Sequence, residues 1–375
     1  MHIGIDARFY GSLGKGLGRY TEKLIQELEK LPGDDSFTVF LRQENFEEYI
    51  PTNPRFKKVL ADYPWYGWQE QVLFPKLLYS LAIDCMHFPH FNVPLLYWRK
   101  SIVTIHDLIL FHYPTVKASE LSPLLYWMKY WVYRLVIFIA VWRAEKVITV
   151  SRFTADDVAR SFPFAHEKIF VTYEAAEDYC FWNTKQSSQA LLQSLRILSK
   201  EYILYVGNAY PHKNLECLIE VAIAMPDKKF VCVGKEDYFY RTLYRKVQER
   251  GATNIIFVGF IPDRELAILY QEAWCYFFPS LYEGFGLPGL EALSHGAPVV
   301  AARAGALPEI LGDAALYFDP VSPLSVVPFF ERLKTDQEFR SNLIERGYRK
   351  ITQFSWKRMA SLTLQRYHEK EDVEL

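Results

Sequence analysis

The stretch FFPSLYEGFGLPGLEALSHGAPVV, residues 277–300, reads as strand, loop, helix, glycine stop and strand. Phe277 and Phe278 close the short apolar run begun at Cys275, and Pro279 with Gly284 and Gly286 marks a loop. Helical spacing then carries the chain to Gly296, and Pro298–Ala301 is the next apolar run. Strands joined through a helix imply a parallel sheet. Working outward, the same alternation predicts strands at Tyr202–Val206, Lys229–Val233 and Asn254–Val258 in the second half. In the first half it predicts His2–Ile5, Phe37–Leu41, Ser101–Ile105 and Lys146–Val150, with a helix over Arg19–Leu31. The pattern therefore occurs twice, which implies two doubly wound α/β domains. The polar stretch from Glu174 to Lys200 lacks strand periodicity and reads as the linker. The expected organisation is a first domain at 1–175, a linker at 176–200, a second domain at 201–355 and a C-terminal helix at 356–375.

Composition limits the function. Of 375 residues, 50% are hydrophobic and 23% charged, which supports large cores and excludes a mostly disordered chain. A net charge of -1 gives no electrostatic footprint for nucleic acid. The cysteines, Cys85, Cys180, Cys217, Cys232 and Cys275, are odd in number and scattered, which argues for a reducing compartment and against a zinc site. The start MHIGIDARF lacks the basic and apolar run of a secretory signal, so the expectation is a cytoplasmic protein. The most membrane-like segment, 124–142, contains Lys129 and Arg134, and its uninterrupted apolar run is far below the ~20 residues of a span. Two readings stay open for it: a buried helix, or an interfacial helix whose Trp127, Trp131 and Trp142 sit at a headgroup boundary.

In open α/β sheets, ligands sit beyond the carboxyl ends of the strands, and four motifs fall there. Gly11, Gly14, Gly16 and Gly18 follow the first strand as a loop ahead of a helix that starts near Arg19, a weak anion-binding signal matching neither a P-loop nor GxGxxG. His106 ends the strand at 101–105, as a ligand-facing group or as a structural partner of Asp107. His87 and His90 fall in a turn, as cleft lining at best. In YILYVGNAYPHKNL, residues 202–215, Lys213 is placed to neutralise a phosphate, in an exposed position where its removal leaves folding intact. In 277–300, Glu283 and Glu291 flank Gly284 and Gly286. Helix-end amides suit a diphosphate, and carboxylates suit sugar and ribose hydroxyls, so the segment fits a nucleotide sugar. Two carboxylates also fit glycoside hydrolysis, and spacing alone does not separate the two.

The chain resembles the retaining glycosyltransferases of group 1, family 4. The likeness rests on GLGRYTEKL, TIHDL at 104–108, VITVSRFTADDV at 147–158, VGNAYPHKNL at 206–215, VGFIPDREL at 258–266, PSLYEGFGLPGLEALSHGAPVV at 279–300 and LPEILGDAALYFDP at 307–320. The resemblance implies the GT-B fold, two Rossmann-like domains facing a central cleft, the first on the acceptor side and the second binding nucleotide sugar. It implies that His106, Lys213 and Glu283 act at the reacting sugar and diphosphate, and that Glu291 holds the donor ribose. Gly16 and Gly18 would face donor phosphate and acceptor. Backbone at Phe285, Gly286 and Leu287 would meet sugar and diphosphate, and Gly259 and Phe260 would flank the nucleobase. The family's C-terminal helix returns to the first domain. The chain departs from its relatives at His212, where many carry arginine, and at Tyr210, where many carry an acid, so His212 protonation becomes a question.

The implied partners are a nucleotide-sugar donor, GDP-mannose first and a UDP-sugar second, and a glycan or lipid-linked acceptor in surface polysaccharide assembly. No cofactor and no metal are expected, nor nucleic acid. Peripheral contact with the inner face of the membrane would run through 124–142. Two rival functions are a nucleotide-sugar 2-epimerase on the same fold and a non-catalytic sugar-nucleotide binder.

Overall fold

The computed structural model describes residues 1–11, 15–114, 123–176 and 185–369. Two compact units divide the chain: Met1–Phe111, Leu121–Glu174 and Ser355–Leu375 form the first, and His112–Glu120 with Ala175–Phe354 the second.

The first unit is built on β1 (His2–Asp6), β2 (Ser36–Leu41), β3 (Phe56–Leu60), β4 (Cys85–Phe88), β5 (Ser101–Ile105), β6 (Lys146–Thr149) and β7 (Ile169–Val171). All pair in parallel, in the order β3-β2-β1-β4-β5-β6-β7. The second is built on β8 (Tyr202–Val206), β9 (Lys229–Val233), β10 (Ile255–Gly259), β11 (Cys275–Phe278), β12 (Val299–Ala302) and β13 (Ala315–Phe318), also parallel, in the order β10-β9-β8-β11-β12-β13. Aliphatic and aromatic side chains of these strands pack into the cores, Phe40, Phe88 and Ile105 with Phe74 of the helix Trp68–Ser80 in the first unit and Ile203, Phe230, Phe277 and Val300 in the second. Each sheet reverses its winding once, between β1 and β4 and between β8 and β11, and such a switch point leaves a crevice at the strand ends.

Strands β3, β7 and β13 lack a strong apolar alternation and were not expected from sequence. β7 is only three residues long and half-buried, and β3 carries an exposed Lys57 and a half-buried Lys58 whose Nζ donates to the Phe46 carbonyl at 2.8 Å. The expected linker also holds regular structure: Lys185–Ser194 is a helix that packs on the helix Asp263–Glu272. Its Leu192 is buried, an anchor too sparse to read against the polar residues around it.

The helix Trp356–His368 belongs to the first unit, against the helix Lys15–Lys30. Its Tyr367 hydroxyl bonds His87 Nδ1 at 2.7 Å, and Lys146 Nζ donates to the Arg366 carbonyl at 2.8 Å. His87 is thus inside β4, not in a turn, and its Nε2 meets Thr104 Oγ1 at 2.9 Å. Burial, and to a lesser degree His106, push its pKa down to about 3. An unfolded histidine titrates near ~6.5, so between those values the unfolded chain binds a proton that the folded chain refuses. Stability is therefore expected to fall on acidification, by about 1.4 kcal/mol per pH unit below ~6.5 from this residue alone. Urea unfolding of wild type and His87→Gln at pH 7 to 4.5 checks it: the variant should lose stability more gradually, and parallel curves would refute the assignment.

Candidate active site

In the second unit, the two sides of the switch point supply the two polar partners. Beyond β8, Gly207 lies at φ 150°, held by Tyr240, whose hydroxyl donates to its carbonyl at 2.7 Å. One tight turn, Pro211–Lys213, follows, and Asn214 adopts a left-handed φ of 55°. Two bonds stitch this turn to the loop beyond β11. Leu281 N donates to the His212 carbonyl at 2.7 Å, and Asn214 Nδ2 to that of Pro279 at 3.2 Å. The result sets Lys213 Nζ 2.7 Å from Glu283 Oε1. Lys213 is not a free surface cation, since its side chain is 15% exposed and that of its partner 9%. Gly305, at φ 58°, backs Glu283 so closely that a Cβ would sit 2.5 Å from the Glu283 nitrogen, and Ala306 N donates to the Glu283 carbonyl at 2.9 Å. The ion pair therefore rests on a backbone clamped from the β12 side.

Gly286 (φ 102°) turns the chain into the helix Leu287–Ser294, and a Cβ there would strike Leu307 at 2.7 Å. The positive end of this helix dipole lies at that turn. The Phe285 side chain is buried, edge-on to Phe354, which leaves its backbone as the part able to meet a ligand. Glu291 lies one turn into the helix, largely buried, and its Oε2 accepts from the Tyr270 hydroxyl at 3.0 Å. Tyr270 was missed in the sequence because it sits on a different helix with no local signal. His212 is buried, and burial together with Lys213 pushes its pKa down to about 4, so it is neutral at pH 7 and supplies no phosphate-binding charge. Tyr210 packs edge-on to Phe239, ring centroids 4.7 Å apart. Gly259 ends β10 at φ 73°, and Phe260 beside it is 72% exposed.

In the first unit, His106 lies past the end of β5 and pairs with Glu174, not Asp107. Its Nδ1 is 3.1 Å from Glu174 Oε1 and its Nε2 is 2.9 Å from the Pro89 carbonyl. Asp107 instead accepts from Ile109 N at 2.9 Å. Burial opposes charge on this ring, but the carboxylate and the carbonyl raise its pKa above the usual histidine value. Both nitrogens face acceptors, so the imidazolium is the form that satisfies both. Gly16 and Gly18 are not loop residues: the helix begins at Lys15 and contains both. Gly18 is there because a Cβ would meet the Gly11 carbonyl oxygen at 2.1 Å, whereas a Cβ on Gly16 would meet open space. Gly14 falls outside the described residues. The His90 ring packs on Phe91 at 4.0 Å, and burial holds it uncharged near neutral pH.

Known proteins match this chain along most of its length. The family described as Glycosyltransferase Family 4 matches residues 14–176, and that described as Glycosyl transferases group 1 matches 188–350. The chain is a group 1, family 4 glycosyltransferase. The O-antigen chain mannosyltransferase B of Escherichia coli is 28% identical over 373 residues, covering 94% of this chain and 95% of that one. The O-antigen chain mannosyltransferase RfbU of Salmonella typhimurium is 25% identical, covering 83% and 84%. The solved structure of sucrose-phosphate synthase from Thermosynechococcus elongatus matches with a TM-score of 0.74 at 18% identity, covering 98% of each chain, and identifies the fold as GT-B.

In this glycosyltransferase the residues Lys213, His212 and Glu283 come together in one unit, with Gly286 and Glu291 following on the same segment. His106, Gly16 and Gly18 belong to the other. Glu174 joins His106 from 68 positions away, a pairing with no sequence signal. Among the described residues, no three His, Cys, Asp or Glu side chains cluster as a metal-ligand set.

Proposed function

We propose that the enzyme moves a mannosyl group from GDP-mannose, with retention of anomeric configuration, to a glycan or lipid-linked acceptor in surface polysaccharide assembly, at the inner face of the membrane. The observation that carries this reading is the Lys213–Glu283 pair beside a helix N-terminus at the switch point. The donor and pathway follow the O-antigen mannosyltransferases to which the chain is similar.

As the donor C1–O bond breaks, negative charge grows on the departing diphosphate. Lys213 and the N-terminal amides of the helix Leu287–Ser294 stabilise it, a preorganised electrostatic contribution. The acceptor oxygen forms the new bond to C1 on the face the diphosphate leaves, and its proton passes to a phosphate oxygen. Glu291 accepts from the donor ribose hydroxyls, and Glu283 orients Lys213 and meets the sugar. Phe260 and Gly259 border the nucleobase.

Thermal melting with GDP-, UDP- and dTDP-sugars, followed by product analysis, tests the reading. GDP-mannose should raise the melting temperature most, since ligand at 100 times its Kd adds ~2.7 kcal/mol. A larger shift with a UDP-sugar would reassign the donor, and an isomerised donor made without acceptor would reveal an epimerase. Activity is expected to survive EDTA, because protein groups meet the diphosphate charge. Loss that only magnesium or manganese restores would refute that part.

A further inference from the structure

The helix Pro123–Arg143 leaves a long apolar face in solvent. Leu124, Trp127, Met128, Trp131, Val132, Leu135, Phe138 and Trp142 are each between 43% and 83% exposed. At 3.6 residues per turn they fall within an arc of about 140°. Val136, Ile137, Ala140 and Val141 occupy the opposite side and are buried in the core of the first unit. That burial rules out spanning: the helix cannot leave the core to cross a bilayer. Its C-terminal end is tied down as well, Arg143 donating to the Leu95 carbonyl at 2.6 Å and Lys168 to that of Trp142 at 2.9 Å.

The charges around this face choose its partner. The helix carries Lys129, Arg134 and Arg143 and no acidic residue. By the same geometry Arg134 flanks one side of the apolar arc, and Lys129 and Arg143 flank the other. Arg143 also lies over the ring of Trp98, which is 66% exposed and widens the apolar surface at that end. A second copy docked on this face would bring cations against cations, because a two-fold contact is self-complementary. A headgroup layer offers the opposite: an apolar boundary for the tryptophans and anionic phosphates for the rim.

We propose that this face lies flat in the headgroup region of an anionic bilayer, with Trp127, Trp131 and Trp142 as its inserted anchors. The inference deepens, and rests on, the reading of the enzyme as peripheral to the membrane. It gives the helix a role in holding the first unit at the surface where a lipid-linked acceptor resides.

Flotation of the full chain with phosphatidylcholine vesicles, with and without phosphatidylglycerol, tests it. Wild type should float with the anionic vesicles, weakly with the neutral ones, and less as salt is raised. The double variant Trp127→Ser, Trp131→Ser should partition at least about tenfold less, and Lys129→Glu about tenfold less on anionic vesicles only. Both should keep the wild-type melting temperature and the same shift with nucleotide sugar. Flotation unaltered in the tryptophan variant would overturn the assignment of this face while leaving the peripheral reading intact. No flotation of wild type would overturn both. A wild-type dimer in light scattering that the tryptophan variant abolishes, without flotation, would make the face a contact between copies.

Discussion

Replacing Lys213 by Ala is expected to lower turnover by a factor on the order of 100 to 1000, the scale for losing one preorganised donor at developing charge. His212 is neutral and does not compensate. The structure adds a second effect that the exposed position expected from sequence did not anticipate. Glu283 is 7% exposed and loses its 2.7 Å partner, so folding stability should fall by about 3–5 kcal/mol, the scale for removing one partner of a buried ion pair. The two effects separate in the double variant Lys213→Ala, Glu283→Gln. Removing the carboxylate charge should restore much of the stability, while turnover stays low. Steady-state kinetics with urea unfolding on the three proteins measures both. Full turnover in Lys213→Ala would remove this residue from the mechanism.

Glu291→Gln is expected to weaken donor binding about ten- to a hundredfold. One carboxylate offers two oxygens to two adjacent ribose hydroxyls, and bonds to a charged partner contribute roughly 1.5–3 kcal/mol. The amide keeps the shape but replaces one acceptor with a donor. Tyr270 donates to Oε2 at 3.0 Å, which holds the carboxylate in place. Titration with the nucleotide and its 2′-deoxy form decides the role. Wild type should prefer the ribose form, and the variant should lose that preference. If Glu291→Gln weakens both forms equally, or neither, the carboxylate serves the helix and not the donor.

The elements that sequence alone determined are those whose physics is local. Tyr202–Val206, Lys229–Val233 and Cys275–Phe278 are apolar runs, the second after its exposed first lysine, that water excludes wherever they occur, and each forms a strand within those limits. Gly286 and Pro288 mark their turn and helix start because φ 102° suits glycine and the first helical turn tolerates proline. The glutamates and Lys213 stand out as candidates because they follow such strands, where parallel sheets place ligands. Tertiary structure alone decided what depends on distant partners. Gly16 and Gly18 read as a loop because glycine disfavours helices, yet the helix includes both, since only glycine at 18 fits against the Gly11 carbonyl. His106 takes Glu174 over its neighbour Asp107, Glu291 takes Tyr270, and Lys213 takes Glu283 across 70 positions, pairings set by strand order, which no local pattern encodes. The segment 124–142, ambiguous as a string of apolar letters, resolves into a buried face and an exposed one because the sheet beside it covers only one side.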